Sequence, residues 1–301
     1  EKHVQQSLPK GPCGLALSGG LDSAYLLEQL SKSNREIHTV TAGYTKDDLI
    51  MGRELAKQYK THHKEIIVTS SSMRLLEKVY KELPIPIGDN GLPLMIEVLS
   101  AFPAHVTNII SGDGADCLLT SLSMHQKQIE QPLNSHYLYD EAFDTTYLPD
   151  DGPSQPIKRM FYQDMKFFVP NRVDYLYVAA WLTGKNIILP YLSPGLVQLI
   201  WETDPLLLKE PKGILKKIAR GLPDHIVHQP KRPGSPPLAS WFSEQLSWAR
   251  PYINAVGAPA KQSTSYRTGL RLWLALNLGI IYTMHNNHDR PRVQKSHILT
   301  G

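Results

Sequence analysis

The fold is decided by residues 14–23, which read GLALSGGLDS. The short apolar run at 14–17 predicts a buried strand, and the two glycines after Ser18 predict a tight turn. Beyond the turn, apolar residues recur at helical spacing, at Ala24, Leu26, Leu27 and Leu30. A strand, a glycine turn and a helix in this order predict the opening unit of a parallel α/β fold.

The chain then repeats this alternation of strand and helix. Further strands are predicted at 37–42, 65–69 and 106–110. Helices are predicted at 49–59 and from a cap at Ser70 or Ser71 to Leu83. We therefore predict an α/β fold with a doubly wound parallel sheet over residues 8–125, and ligands at the carboxyl ends of its strands.

The remainder of the chain has a different character. Residues 126–158 are polar and rich in Asp, Pro, Ser and Tyr, which predicts a loop or connection. A mainly helical region that completes the site is predicted at 159–290, with helices at 173–182, 194–201 and 213–220. The apolar stretch at 272–284 is too short to span a bilayer and predicts a buried helix.

Composition narrows the class of protein. The 301 residues are 42% hydrophobic and 20% charged, as is typical of a globular protein in water. The formal charge of +4 suits an anionic small ligand such as a nucleotide and is too weak to indicate DNA. Two cysteines exclude a disulfide framework, and residues 1–10 lack the apolar run of a secretory signal. We expect a cytoplasmic protein that does not enter a membrane.

The glycine turn has the chemistry of a phosphate site. Gly19 and Gly20 allow positive φ, so that backbone N–H groups can face an anion, and Ser18 and Ser23 add hydroxyl donors. A carboxylate at Asp22 would repel phosphate unless Mg²⁺ lay between them. The alternative is a plain glycine turn before a helix, and no Gly-Lys-Ser/Thr follows to indicate a Walker-type loop.

These residues resemble the PP-loop of the N-type ATP pyrophosphatases, which cleave ATP between the α and β phosphates. That superfamily includes asparagine synthetases, GMP and NAD synthetases, and tRNA thiolation enzymes. The turn alone does not choose among them.

A second motif, SGDGAD at 111–116, resembles the Ser-Gly-Glu-Gly-Ala-Asp-Glu segment of the asparagine synthetase group. The resemblance implies that Asp22 and Asp116 both bind Mg²⁺, and that ATP and Mg²⁺ are the cofactors. It implies an ATP site made of Ala16, Leu17, Ser18, Gly19, Gly20, Leu21, Asp22, Ser23, Thr41, Ala42, Ile110, Ser111 and Gly112.

The resemblance continues to about Phe242. Lys212-Gly213-Ile214-Leu215 resembles the group's Lys-Tyr-Leu-Leu, and Gln229-Pro230-Lys231-Arg232 resembles its Arg-Pro-Lys-Arg. This implies that Lys231 is the catalytic cation that stabilises charge on the phosphates. A solvated lysine is the alternative interpretation.

Several positions depart from the group's pattern. Asn186, Ile188 and Ser193 stand where the group has charged residues, and Asp113 replaces the Glu that serves amide chemistry. The group's N-terminal glutaminase domain is not found in these residues, so no ammonia source is expected within them. A plain asparagine synthetase is therefore not the prediction.

Cys117 replaces the Glu that follows the second Asp, at the predicted start of a helix. A helix N-terminus and nearby cations make a better thiol nucleophile, although small buried cysteines are common. Cys13 precedes the first buried strand and is expected in the core. We interpret Cys117 as a sulfur carrier and count Cys117, Lys231 and Asp113 as catalytic residues.

The leading hypothesis is an enzyme that adenylylates a carbonyl oxygen and replaces it with sulfur from a Cys117 persulfide. The chain resembles the 6-thioguanine-forming type, which implies a guanine nucleotide as substrate and a sulfur-donor protein such as a PLP-dependent desulfurase. A homodimer is compatible with this interpretation. The aromatic side chains that could stack on a base, or equally belong to the core, are Tyr44, Phe161, Tyr162, Phe168 and Tyr175.

Two alternatives stay open. An amide or lactam ligase of the asparagine synthetase, β-lactam synthetase or macrocyclase type would use the same activation and end with an amine. A non-catalytic nucleotide sensor would bind ATP and release neither AMP nor pyrophosphate.

Overall fold

The computed structural model describes residues 1–119, 158, 161–162, 165–166, 169–203, 212–230, 234–258 and 266–286. The predicted connection at 126–158 lies outside these residues apart from Lys158. The polar end of the chain after residue 286 lies outside them as well.

The described residues form a five-stranded sheet in which every pairing is parallel. The strands are β1 Cys13–Ala16, β2 Ile37–Gly43, β3 His62–Ile67, β4 Asn108–Ile110 and β5 Asn186–Ile188. Their order in the sheet is β3-β2-β1-β4-β5. This parallel sheet with helices between its strands confirms the predicted α/β doubly wound fold.

The described helices begin and end at defined residues. They are α1 Lys2–Ser7, α2 Leu21–Ser31, α3 Ile50–Gln58, α4 Leu75–Glu82, α5 Leu92–Ser100, α6 Ala115–Leu119, α7 Val169–Thr183, α8 Pro194–Glu202, α9 Gly213–Ile218, α10 Asp224–Val227, α11 Leu238–Ser240, α12 Arg250–Ala255 and α13 Tyr266–Asn286. Short 3-10 turns lie at Asp47–Leu49, Ser70–Arg74, Pro190–Leu192 and Ser247–Ala249, and a π-helical turn at Trp241–Gln245.

The central strand β1 sets the position of the site. Leu15 is fully buried and lies in register with Thr39 of β2 on one side and Ile110 of β4 on the other. From β1 the chain moves outward through β2 and β3, and then returns to place β4 on the opposite side. The direction of winding therefore reverses between β1 and β4, and the loops after these strands meet at the carboxyl edge, where such folds bind ligands.

Three local predictions differ from the structure. The third strand runs from His62 to Ile67, whereas 65–69 was predicted. Its first half is polar because β3 is an edge strand with largely exposed side chains, so apolar periodicity did not reveal it. Strand β5 was not predicted, because its three residues lie within a long helical pattern.

The predicted cap at Ser70 or Ser71 is also wrong. These serines belong to a 3-10 turn, and α4 begins only at Leu75 without a side-chain capping hydrogen bond. The hydroxyl of Ser71 pairs with that of Thr69 at 2.7 Å instead of capping the helix.

The described residues divide into two compact units, one with those of 1–72 and 89–236, the other with those of 73–88 and 237–286. The first contains the whole sheet and a core around α2, in which Leu26, Leu27 and Leu30 are fully buried. In the second, Trp273 is buried and its indole N–H donates to the Gly88 carbonyl at 2.9 Å. Among the helices described here, none is both long and apolar enough to cross a membrane.

Gly52 allows α3 to pack closely on β2, which yields a testable stability effect. A Cβ at this position would lie 2.1 Å from Oγ1 of Thr41. Thr41 cannot move aside freely, because its buried hydroxyl donates to the Leu17 carbonyl at 2.6 Å. Overpacking of this kind costs about 1–3 kcal/mol, whereas the better helix propensity of alanine returns at most about 1 kcal/mol.

We therefore expect Gly52→Ala to lower the free energy of unfolding by about 2 kcal/mol in urea titrations. Gly11→Ala is the matched control, because a Cβ there meets nothing within 4 Å. Its effect should stay within about 0.5 kcal/mol. Equal stabilities for the two variants would contradict the packing described for Gly52.

Candidate functional site

The glycine turn forms the first wall of the site at the carboxyl end of β1. Gly19 has a φ of +76°, in the left-handed region, and α2 begins directly after Gly20. The Ser18 and Ser23 hydroxyls are 3.0 Å apart, and Ser23 Oγ also donates to the Gly20 carbonyl at 3.1 Å. The turn is therefore preorganised before any ligand binds, with the N-terminus of an eleven-residue helix behind it.

The loop after β4 forms the second wall. A Cβ built on Gly112 would lie 3.2 Å from the Cβ of Asp22, so the two loops are in close contact. Gly114 has a φ of +89°, and its position leaves no room for a side chain next to Leu192. These glycines let the second loop approach the first and begin α6 beside it.

The two aspartates predicted to bind Mg²⁺ meet at a single cation. The ammonium of Lys212 lies 2.5 Å from Asp22 Oδ2 and 2.8 Å from Asp116 Oδ1. The carboxylates come from the first turns of two different helices, α2 and α6. Oxygen ligands that converge on one positive charge are the donor set that Mg²⁺ requires, so the residues present fit a magnesium ion.

Lys212 is held in this position by backbone and charge. Its φ of +56° is left-handed, which is uncommon for a residue with a side chain, and its N–H donates to the Leu119 carbonyl at 3.1 Å. Burial acts to lower the pKa of Lys212, but the Asp22 and Asp116 carboxylates outweigh it and raise that pKa. The lysine is therefore a positive charge held between the Asp22 and Asp116 carboxylates.

Two further side chains support the glycine turn. Tyr191 is buried and donates its hydroxyl proton to the Asp22 carbonyl at 3.0 Å. Gln229 donates from Nε2 to the Gly19 carbonyl at 2.8 Å. They come from segments distant in sequence, so the turn is braced by the C-terminal half of the first unit.

A half-buried carboxyl, that of Asp113, lies near Asp116. Asp113 accepts a hydrogen bond from the Tyr175 hydroxyl at 3.0 Å and another from the Ser111 hydroxyl. Burial raises the pKa of Asp113, with the nearby Asp116 acting in the same direction. Burial also raises the pKa of Asp89, and the carboxylates of Asp113 and Asp174 add to this shift. A carboxyl with a raised pKa is suited to exchanging a proton during a reaction.

Cys117 lies in the same region, one residue after Asp116. Its side chain is buried, and Sγ lies 3.5 Å from Nη1 of Arg172 on α7. A guanidinium at this distance favours a thiolate over a thiol. Cys13 is the first residue of β1 and is fully buried, as predicted for a core residue.

The remaining predicted residues take the following places. Thr41 is buried with its hydroxyl bonded to Leu17, and Leu17 N–H donates to the Val40 carbonyl at 2.9 Å, so these residues fix the strand ends. Ala16, Leu21, Ala42 and Ile110 lie at the ends of β1, β2 and β4 or the start of α2. Lys231 and Phe168 lie outside the described residues.

The candidate stacking residues do not form one group. The charges of Asp113 and Asp89 act on the Tyr175 phenol, and those of Asp89 and Asp48 act on the Tyr44 phenol. Phe161 packs against Trp201 with ring centroids 5.9 Å apart, and Tyr162 hydrogen-bonds Lys166 at 2.6 Å. Among the candidates that the structure describes, Tyr44 and Tyr175 are the two that lie near these acidic side chains.

Comparison with known proteins identifies the family of the chain. Residues 4–276 match the family model described as asparagine synthase. The chain belongs to the asparagine synthase family. It is similar to "Asparagine synthetase [glutamine-hydrolyzing] 1" of Bacillus subtilis (strain 168), with 19% identity over 310 residues.

That match covers 80% of this chain and 49% of the relative, so the chain spans about half the relative's length. The asparagine synthase family is one of ATP-dependent, ligase-type enzymes, which confirms the predicted resemblance. This family uses ATP.

Lys212 should stabilise the protein without ligand, because it neutralises two facing carboxylates. We expect Lys212→Met to lower the free energy of unfolding by about 1–3 kcal/mol. The effect should be smaller than that of a fully buried ion pair, because the Lys212, Asp22 and Asp116 side chains are partly exposed. Mg²⁺ should restore much of this loss, since it can take the position of the ammonium.

Urea unfolding with and without MgCl₂ measures both effects. Lys217→Met is the control, because Lys217 is exposed on α9, the helix that follows Lys212. This variant should keep wild-type stability, and magnesium should affect it no more than it affects the wild type. A Lys212→Met variant with wild-type stability and no magnesium response would contradict the proposed cation position.

Proposed function

We propose that this chain transfers AMP from ATP to a carbonyl oxygen of its substrate, with release of pyrophosphate. The observation that carries the proposal is the convergence of Asp22 and Asp116 on the Lys212 ammonium beside the glycine turn. Two carboxylates and a cation at a helix N-terminus form a site for a metal-bound polyphosphate.

The residues divide the work of this step. Backbone N–H groups at Gly19 and Gly20, with the Ser18 and Ser23 hydroxyls, would bind the phosphates. Mg²⁺ held by Asp22 and Asp116 would neutralise the departing pyrophosphate when it is bound. Lys212, released from its carboxylates, would move its charge to the phosphates and stabilise the transition state, and Lys231 is proposed as a second such cation.

We further propose that sulfur, rather than an amine, completes the reaction. Cys117 directly follows the metal-binding Asp116, and the Arg172 guanidinium lies 3.5 Å from its sulfur. The same guanidinium would stabilise the negative terminal sulfur of a persulfide formed on Cys117. In this proposal, the sulfur would lie next to the carbon that adenylylation has activated.

The proposed steps balance in atoms and electrons. The terminal sulfur of the Cys117 persulfide attacks the activated carbon, and AMP leaves with the former carbonyl oxygen. The product is then joined to Cys117 through a disulfide. One small thiol attacks Cys117 Sγ and releases the thiocarbonyl compound, and a second thiol returns Cys117 to the thiol with formation of the small-molecule disulfide. A sulfur-donor protein, such as a PLP-dependent desulfurase, would restore the persulfide.

We propose a guanine nucleotide as the acceptor. Tyr44 and Tyr175 offer aromatic surfaces near the acidic side of the site, and the carboxyls of Asp89 and Asp174 are acceptors for the N–H groups of a purine. The modest positive charge of the chain suits an anionic nucleotide in the same way as ATP.

An amide or lactam ligase is the second candidate, and one observation favours it. Asp113 is half-buried, has a raised pKa and accepts a hydrogen bond from the Tyr175 hydroxyl, which suits removal of a proton from an attacking amine. In that case Cys117 would be structural and the product would contain nitrogen from the second substrate.

Product mass analysis separates the two candidates. The protein is incubated with Mg·ATP, a candidate guanine nucleotide and either a persulfide donor or an amine. The sulfur route predicts AMP together with a product in which sulfur has replaced oxygen. A product containing the amine would establish the ligase instead, and ATP binding without AMP or pyrophosphate would indicate a sensor.

A further inference from the structure

A cluster of histidines lies at the amino edge of the sheet, opposite the carboxyl edge that carries the glycine turn. His38 is the second residue of β2 and His62 the first residue of β3, and the two are register partners. Glu36 immediately precedes β2, and His105 lies three residues before β4. Parallel strands start at the same edge, so their first residues meet there.

The four side chains point toward one place. Oε1 of Glu36 lies 2.7 Å from Nε2 of His38, 3.9 Å from Nε2 of His62 and 3.8 Å from Nε2 of His105. Ligand atoms of Glu36, His38 and His105 all lie within 4.8 Å of one another. The His38 ring stacks on His62 with centroids 4.8 Å apart and meets His105 edge-on.

We propose that Glu36, His38, His62 and His105 form a zinc site that ties β2, β3 and the loop before β4 together. Three imidazoles and one carboxylate are the nitrogen and oxygen donors that Zn²⁺ prefers in four-coordinate sites. Ligand bonds of about 2.0–2.1 Å place tetrahedral ligand atoms about 3.3 Å apart. The distances of 2.7–3.9 Å from Glu36 Oε1 to the three Nε2 atoms bracket this value.

The cluster is built to close around an ion with small movements. The His38 side chain is 11% exposed and belongs to the sheet, whereas the His62 and His105 side chains are 68% and 60% exposed and lie at the surface. The His105 loop is anchored, because Lys185 Nζ donates to the Pro103 and Val106 carbonyls at 2.8 and 2.9 Å.

The neighbouring positive charge does not oppose a cation here. Arg35 precedes Glu36, but its guanidinium is turned to the Pro9 carbonyl and the Ser33 hydroxyl. Because the sheet separates this edge from Asp22 and Asp116, a zinc ion here would stabilise the fold and take no part in ATP cleavage.

The test is a zinc titration by isothermal calorimetry, with excess MgCl₂ present to occupy the carboxylates of the ATP site. Wild-type protein is compared with the double variant His62→Ala/His105→Ala, which changes only exposed side chains. His225→Ala is the control, because His225 also lies 2.7 Å from a carboxylate, that of Glu54, but outside the cluster. Circular dichroism in EDTA establishes that all three proteins are folded.

We expect the double variant to bind one equivalent of zinc fewer than the wild type and the His225→Ala control. Cobalt(II) should give tetrahedral d–d absorption bands in the wild type, and the double variant should lack them. AMP formation with Mg·ATP should be unchanged, since these residues lie away from the ATP site. Equal zinc stoichiometry in wild type and double variant, or no zinc binding by either, would overturn the proposal.

Discussion

Asp116→Asn is expected to reduce pyrophosphate release by about 10²–10³-fold, with the fold intact. Asp116 Oδ1 lies 2.8 Å from the Lys212 ammonium, at the proposed magnesium position. Asparagine keeps the size of the side chain and removes its charge, so the metal loses one of two anionic ligands. The variant would therefore neutralise the charge on departing pyrophosphate less well than the wild type does. The transition state would lose more stabilisation than bound ATP, so the rate would fall.

Steady-state assays of pyrophosphate release, with magnesium varied, measure this effect. The loss should be smaller at high magnesium, because weaker binding of the metal is part of its cause. Asp224→Asn is the matched control, since Asp224 is exposed at the start of α10 and should keep full activity. Equal rates for both variants would exclude Asp116 from the metal site.

Cys117→Ser is expected to lower formation of the thiolated product by at least about 10³-fold, while adenylylation of the acceptor continues. Serine cannot carry a persulfide, but it leaves Asp22, Asp116 and Lys212 in place. The adenylylated intermediate would then be hydrolysed by water, so AMP would appear without sulfur in the product. This separation of the two half-reactions is particular to the sulfur route.

The control for this variant is Cys13→Ala, which removes the other thiol of the chain from the buried core. It should keep sulfur transfer at a level set only by its stability. Arg172→Met should give an intermediate loss, because the sulfur at 3.5 Å would lose its cationic neighbour. Undiminished thiolated product from Cys117→Ser would rule out Cys117 as the sulfur carrier.

Local sequence predicted much of the fold, because the strand, glycine turn and helix at 14–31 are each specified by nearby residues. The apolar run, the two glycines and the buried face of α2 agree with one another, and β1 and α2 lie where they were predicted. Strand β3 was predicted three residues too late, since an edge strand with polar side chains lacks the apolar pattern. The short β5 was missed for a similar reason: pairing with β4, and not its own sequence, makes it a strand.

The site was only partly predictable for a related reason. Asp22 and Asp116 belong to motifs that can be read within a few residues, and the structure brings both to one cation. Lys212 appeared only as part of a resembling stretch, because its role depends on a contact made across 190 positions of sequence. Arg172 gave no signal, since nothing in its helix marks the residue that faces Cys117.

The fate of the acceptor's carbonyl oxygen tests adenylylation most directly. A guanine nucleotide labelled with ¹⁸O at the 6-carbonyl is incubated with the protein, Mg·ATP and a persulfide donor, and the nucleotide products are analysed by mass. Attack of that oxygen on the α-phosphate predicts that AMP gains the ¹⁸O label in step with thiolated product, while pyrophosphate stays unlabelled. Label in inorganic phosphate with ADP as the other product, or unlabelled AMP beside thiolated product, would contradict adenylylation at this site.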